Sequence, residues 1–151
     1  MPLPSARFTS ARMSDLNTDI DNLVDEFDFL GDWEERYRYL IEMGQALPGL
    51  DESERNDDTR VQGCVSQVWL VLESGPSLEL VLRGDSDAHI VKGLVALLNR
   101  LYDGRTPQEA LSIDPKEVLG RIGLAEHLSP QRSNGLASMI KRIRAEAESR
   151  V

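Results

Sequence analysis

Leu16, Ile20, Leu23, Val24 and Phe27 recur at helical spacing, so the patterned part of the chain opens with an amphipathic helix that Gly31 interrupts. Trp33, Tyr37, Leu40, Ile41, Gly44 and Leu47 share the face of a second helix. Asp32 is placed to cap it, Glu35 follows three residues on, and Pro48-Gly49 stops it. The two helices are expected to pack as a hairpin. From Ser66 the period changes to two: Val68, Leu70 and Leu72 fall on one side of a strand, and Gln67, Trp69, Val71 and Glu73 on the other. Ser74-Gly75-Pro76-Ser77 turns the chain, and Leu78, Leu80 and Leu82 return as a second strand.

The apolar stripe of the third helix is the broadest. Ile90, Val91, Leu94, Val95, Leu97, Leu98, Leu101 and Tyr102 cover more than half its circumference, which predicts a buried helix lying across the sheet. Gly84-Asp85-Ser86-Asp87 before it offers capping side chains and negative charge. Short helical turns are expected after Thr106-Pro107 and Asp114-Pro115, each with a cap ahead of a proline, and Gly120 and Gly123 keep that region broken. A last helix from Ser129-Pro130 turns Leu136, Met139, Ile140, Ile143 and Ala147 inward and Lys141, Arg142, Arg144 and Arg150 outward. The sum is an α+β fold: a small antiparallel sheet packed against several helices, one domain over 15–151. Residues 1–14 hold Arg7, Arg12 and several hydroxyls without an acid or an apolar face, and they read as a disordered arm within which Met13 is an alternative start.

Charge narrows the partners. A formal net charge of −9 without a basic run opposes attraction to nucleic acid or anionic membrane, so a protein or small molecule is the expected partner. No run approaches the ~18 apolar residues of a membrane span, and the N-terminus shows no secretory core, so a cytoplasmic location is expected. The single cysteine, Cys64, forbids an internal disulfide, and with His89 and His127 it makes no recognised metal-ligand spacing. Cys64 is also the chemical focus. It follows Gly63 in the junction Arg60-Val61-Gln62-Gly63-Cys64-Val65-Ser66-Gln67, between the polar loop 51–60 and an alternating strand. A free cysteine is commonly an inert core residue, but a Gly-Cys tip on a rigid base can offer its thiol to another molecule.

Four stretches in order carry a family resemblance: Trp33-Glu34-Glu35-Arg36-Tyr37 with Gly44 and Leu47-Pro48; Gln62-Gly63-Cys64-Val65-Ser66-Gln67-Val68-Trp69; Gly84-Asp85-Ser86-Asp87-Ala88 through Ile90-Val91-Lys92-Gly93-Leu94; and His127-Leu128-Ser129-Pro130-Gln131-Arg132-Ser133-Asn134-Gly135-Leu136. Together they resemble the SufE family of sulfur acceptors, whose α+β fold is similar to that of IscU-type scaffolds. Val65 departs from the glutamine or glutamate usual in the family after the cysteine.

The resemblance implies that Cys64 accepts persulfide sulfur from a pyridoxal-phosphate cysteine desulfurase (SufS-like), stimulates that enzyme, and passes sulfur to a SufB-containing iron-sulfur scaffold. The pyridoxal phosphate belongs to the partner; this chain needs no cofactor or metal beyond a transient persulfide. It implies an accessory protein more than an autonomous enzyme, acting as a monomer or weak homodimer. Gly63, Val65, Ser66, Gln67, Asp87 and Arg132 are the candidate loop-supporting or partner-binding residues. Asp87 either caps the third helix or steers the Cys64 loop, or does both; Arg132 either pairs inside the protein or contacts the desulfurase. His127 reads as structural, and Trp69 as packed against a helix. Because a persulfide is open to attack by solvent thiols, the Cys64 loop is expected to turn inward alone and outward in complex. Two other classes compete: a regulatory module that docks on the desulfurase without carrying sulfur, and a cluster scaffold, for which one cysteine is too few. A cysteine-protease-like pairing of Cys64 with a histidine lacks any sign of an oxyanion site.

Overall fold

The computed structural model describes residues 5–124 and 126–151, with side chains from residue 16 onward. Its elements are α1 (Ser5–Phe29), α2 (Trp33–Gln45), β1 (Val68–Ser74), β2 (Leu80–Ser86), α3 (His89–Tyr102), α4 (Pro107–Ser112), α5 (Pro115–Ile122) and α6 (Pro130–Glu148), with a 3₁₀ turn at Glu52–Glu54. The backbone of α1 is helical from Ser5, inside the segment read above as a disordered arm; residues 1–4 of that segment lie outside the described residues. No described helix is long and apolar enough to cross a membrane.

The caps are where local chemistry put them. Asp32 accepts from the Glu35 amide at 2.9 Å, Thr106 and Glu109 form a reciprocal capping box, and Asp114 and Ser129 each cap a helix whose first residue is proline. The core forms around α3, where Leu97, Leu98, Val95 and Tyr102 are fully buried. β1 and β2 pair antiparallel from Val68↔Ser86 to Ser74↔Leu80, and Val68, Leu70, Leu80 and Leu82 turn toward the helices.

Two expectations need correction. The first two helices meet only near their connection, where the Phe27 and Tyr39 rings pack edge-on and the Tyr39 hydroxyl donates to Glu26; the main neighbour of α2 is α3, where a Cβ at Gly93 would stand 2.4 Å from the Leu40 carbonyl oxygen and one at Gly44 2.7 Å from the Gly93 nitrogen. Two glycines facing each other let these backbones approach closely, and that contact outweighs the short connection to α1. Leu78 belongs to the turn and not to the second strand. It takes φ +64 and is 73% exposed, while Gly75 and Glu79 close the turn around it.

The polar loop 51–60 is not slack. It folds back along β1, the Leu70 amide donating to the Thr59 carbonyl at 2.8 Å. Arg83 clamps Glu54 through both guanidinium nitrogens at 3.1 and 2.6 Å, and Arg142 donates to the Arg60 and Asp58 carbonyls. This segment, and not only a helix as read above, covers the buried Trp69: Arg60 pairs beside it and the Arg55 guanidinium lies over its ring at 5.7 Å.

Candidate functional site

Cys64 sits near the middle of a short tip whose two ends are fixed. On the entering side the Val61 amide donates to the Val68 carbonyl at 2.8 Å, and the Val61 side chain is buried. On the leaving side Gln67 is held three ways: its amide donates to Asp87 Oδ1 at 3.0 Å, and its carbonyl accepts from Ser86 Oγ at 2.7 Å and from the Asp87 amide at 3.2 Å. Between these anchors residues 62–66 arch over α6. Gly63 takes φ +90, which a side chain would strain, and a Cβ there would meet Ser138 Oγ at 2.6 Å.

The thiol lies against α6. Cys64 Sγ is 3.6 Å from the Gly135 carbonyl oxygen, to which it donates a weak hydrogen bond, and a Cβ added at Gly135 would stand 3.3 Å from the sulfur. Half-buried here, the thiol is pushed above its ordinary pKa by the loss of solvent. A carbonyl oxygen beside the sulfur favours the protonated form as well, since it accepts from S–H and repels a thiolate. The thiol borders a hollow of ≈ 320 Å³ whose buried walls include Val91, Leu94, Leu136 and Met139, with exposed Gln131 and Arg132 also lining it. Val65, next along the tip, is 77% exposed.

The structure gathers most of the candidate residues. Gly63, Val65, Ser66 and Gln67 belong to the tip and its anchor, and Arg132 joins them from the first turn of α6. Asp87 does not cap α3: the N-cap is Ala88, without a side-chain bond, and the Asp87 carboxylate takes the Gln67 amide instead. Strand β2 ends at Ser86 and α3 begins at His89, so Asp87 stands one residue ahead of the cap, at the end of the ladder and level with the tip. The Arg132 guanidinium makes no ion pair among the described residues. His127 stacks on Trp33, with ring centroids 4.3 Å apart and planes 13° from parallel, and His89 borders a different depression beside Ser86 and Asp87; neither lines the hollow of Cys64. Among the described residues no group of three or more His, Cys, Asp or Glu could hold a metal ion.

Sequence reasoning missed Gly135 and Ser138 as parts of the site. A signal was present: glycine inside a helix costs roughly 1 kcal/mol against alanine, so Gly135 in the second turn of α6 calls for a packing reason. That reason is the sulfur.

Comparison with known proteins places this geometry. Residues 21–147 match the family model described as SufE, Fe-S metabolism associated domain. An uncharacterized SufE-like protein of Rhizobium meliloti (strain 1021) is 50% identical over 137 residues, covering 89% of this chain and 98% of that one. One from Rhizobium etli is 52% identical over 134 residues, covering 87% and 90%. A solution structure of a hypothetical protein from Thermus thermophilus has the same fold, with a TM-score of 0.72 at 22% identity over 87% of this chain and 95% of that one.

Proposed function

Since this chain belongs to the SufE family and so has a part in Fe-S metabolism, we propose that Cys64 is a sulfur acceptor, loaded from the persulfide of a pyridoxal-phosphate cysteine desulfurase and unloaded onto an iron-sulfur scaffold. The observation that carries this reading is a lone thiol on an arch pinned at both ends and bordering a small hollow. A carrier requires such a group: one nucleophile, shielded at rest, on a segment short enough to swing out without unfolding its surroundings.

The transfer is a thiol exchange. Cys64 loses its proton to solvent or to the partner, and its thiolate attacks the outer sulfur of the donor persulfide. The S–S bond of the donor breaks, the donor cysteine leaves as thiolate, and Cys64 holds the sulfane sulfur as a persulfide. No net oxidation occurs, and the desulfurase is freed of its product, which accounts for stimulation. The arch must leave Gly135 first, because the attacking species is the anion that this position disfavours. Exposed Val65 and the Arg132 guanidinium flank the sulfur and suit contact with a docked partner, the latter with its anions. The reaction takes place in the cytoplasm, with the chain as a monomer or weak homodimer.

The test is to incubate the purified chain with a cysteine desulfurase and ³⁵S-cysteine, then measure label and intact mass. Sulfur gained by the wild type and absent from Cys64→Ser is expected. Stimulation of the desulfurase that survives Cys64→Ser, with no label on the wild type, would replace the carrier by a docking regulator.

A further inference from the structure

A second and larger hollow lies along α6. α6 buries Gly135, Met139, Ile143 and Ala147 in the core. Ser133, Leu136, Ala137, Ile140, Lys141, Arg144, Ala145 and Glu148 follow one another at alternating intervals of three and one, so they form a further stripe of the same helix. That stripe is one wall of a trough of ≈ 820 Å³; the other comes from Pro115, Lys116 and Leu119 of α5 with Leu124 and Leu128 beyond it. The volume is within the range of specific binding sites, roughly 300–1,000 Å³.

Shape and charge choose the occupant. From Ser133 to Glu148 the stripe covers about four helical turns, ~22 Å at 1.5 Å per residue. Ala137, Lys141, Ala145 and Glu148 are exposed along it, so the trough is open lengthwise and is not a tunnel for an alkyl chain. Ala137 and Ala145 lie eight residues apart on one stripe, leaving room for another helix to approach closely. Lys116 and Lys141 stand on opposite walls. In a chain of net charge −9, with nine ion pairs among its described residues, neither lysine makes one there. We propose that this trough docks an amphipathic helix of a partner protein, apolar along one face and bearing carboxylates on both flanks to meet Lys116 and Lys141.

Such a site is separate from the Cys64 hollow, although Leu136 lines both. A partner helix seated there leaves the arch of residues 62–66 uncovered, so it could hold the chain while sulfur moves elsewhere on the surface. The docking proposal does not depend on the sulfur chemistry and is tested without it.

The probe is a fluorescein-labelled sixteen-residue designed helix with leucines on one face and glutamates on both flanks, compared with a twin whose flanks are lysine. Fluorescence anisotropy with the full chain at low salt is expected to show the acidic peptide binding about tenfold tighter than the basic one, a difference of roughly 1.4 kcal/mol. The double variant Lys116→Glu, Lys141→Glu changes only side chains at the rim of the trough and should reverse that preference. Ala145→Trp should abolish binding of both peptides, with unchanged circular dichroism showing that the chain has folded. Equal affinity for the two peptides, a preference unaffected by the charge reversal, or displacement of the bound acidic peptide by equimolar oleate would overturn the proposal. So would an equilibrium sedimentation result in which a second copy of the chain covers the trough and excludes the peptide.

Discussion

Gly135→Ala is the most informative single substitution because two opposite effects fall on one methyl group. In a helix interior, alanine is favoured over glycine by about 0.8–1.0 kcal/mol, so α6 itself gains. The added Cβ, however, has its three nearest neighbours all in Cys64: Sγ at 3.3 Å, Cβ at 3.7 Å and Cα at 3.8 Å. The sulfur contact is tight enough that Sγ must withdraw by a few tenths of an ångström and lose its hold on the Gly135 carbonyl. A weak hydrogen bond of this kind contributes about 0.5–1 kcal/mol, which converts to a two- to fivefold rise in the outward population of the arch. The rate of thiol modification by a disulfide reagent at neutral pH should rise by the same factor, while the melting temperature stays level or rises. Gly120→Ala in α5 is the control, since its Cβ would meet nothing within 4 Å; it should raise stability without touching the thiol rate. If Gly135→Ala and Gly120→Ala behave alike, with unchanged thiol reactivity, Gly135 is not the bed on which Cys64 rests.

Three further outcomes follow from the same geometry. Asp87→Ala removes the acceptor for the Gln67 amide and should quicken Cys64 alkylation severalfold, whereas Asp87→Asn keeps an oxygen in place and should stay within about twofold of wild type; equal effects of the two would point to charge, not to the anchor. Burial holds the Cys64 thiol protonated in the folded state, so its contribution to stability is complete below the unfolded pKa of about 8.5 and is lost as pH climbs through the higher folded value. Urea midpoints of wild type should therefore decline more than those of Cys64→Ala between pH 8 and pH 10, and parallel curves would contradict the burial argument. Gly93→Ala drives a Cβ to 2.4 Å from the Leu40 carbonyl oxygen and should cost about 1–3 kcal/mol in denaturant titration; a neutral result would mean that α2 and α3 can part without loss.

What the sequence disclosed follows the range of the forces involved. Helix starts were legible because each cap acts over three residues: Asp32 with Glu35, Thr106 with Glu109, and Asp114 and Ser129 ahead of prolines. The Cys64 tip was legible because a glycine, a cysteine and the onset of alternation are adjacent, and the four family stretches fixed the fold class. Partners distant in sequence were not. Nothing near Gly44 announces that it faces Gly93, so the expectation of an α1–α2 hairpin found the contact of Phe27 with Tyr39 but not the closer packing of α2 on α3. Trp69 reads from the sequence as packed against a helix, and the return of residues 51–60, clamped by Arg83 and Arg142, which lays Arg55 over its ring, had no local signal. Asp87 has the chemistry of a cap, but its carboxylate goes to an amide twenty residues away, because the helix takes Ala88 as its N-cap and leaves Asp87 beside Gln67 at the end of the strand ladder.

The two anchors also limit how far the sulfur can travel. Val61 and Gln67 are each three residues from Cys64, and an extended chain spans at most ~3.3–3.6 Å per residue, so the cysteine cannot move beyond about 10–11 Å from either while both hold. A longer, looser arch would reach further, but it would lose more conformational freedom each time it docked and would leave a persulfide open to solvent thiols between encounters. Under the proposed sulfur transfer, a short arch shifts the burden to the donor, whose persulfide would have to approach the hollow beside α6 to within that radius. Donor access and the outward turn of Cys64 are therefore coupled. The position that protects the thiol also keeps it protonated, so a partner that draws the arch away from Gly135 removes the shield and restores the nucleophile in one movement. Loosening the Gln67 anchor by one of its three bonds should lengthen the reach but blunt that coupling: Asp87→Ala is expected to react faster with small reagents and yet gain less than wild type from the proposed desulfurase partner.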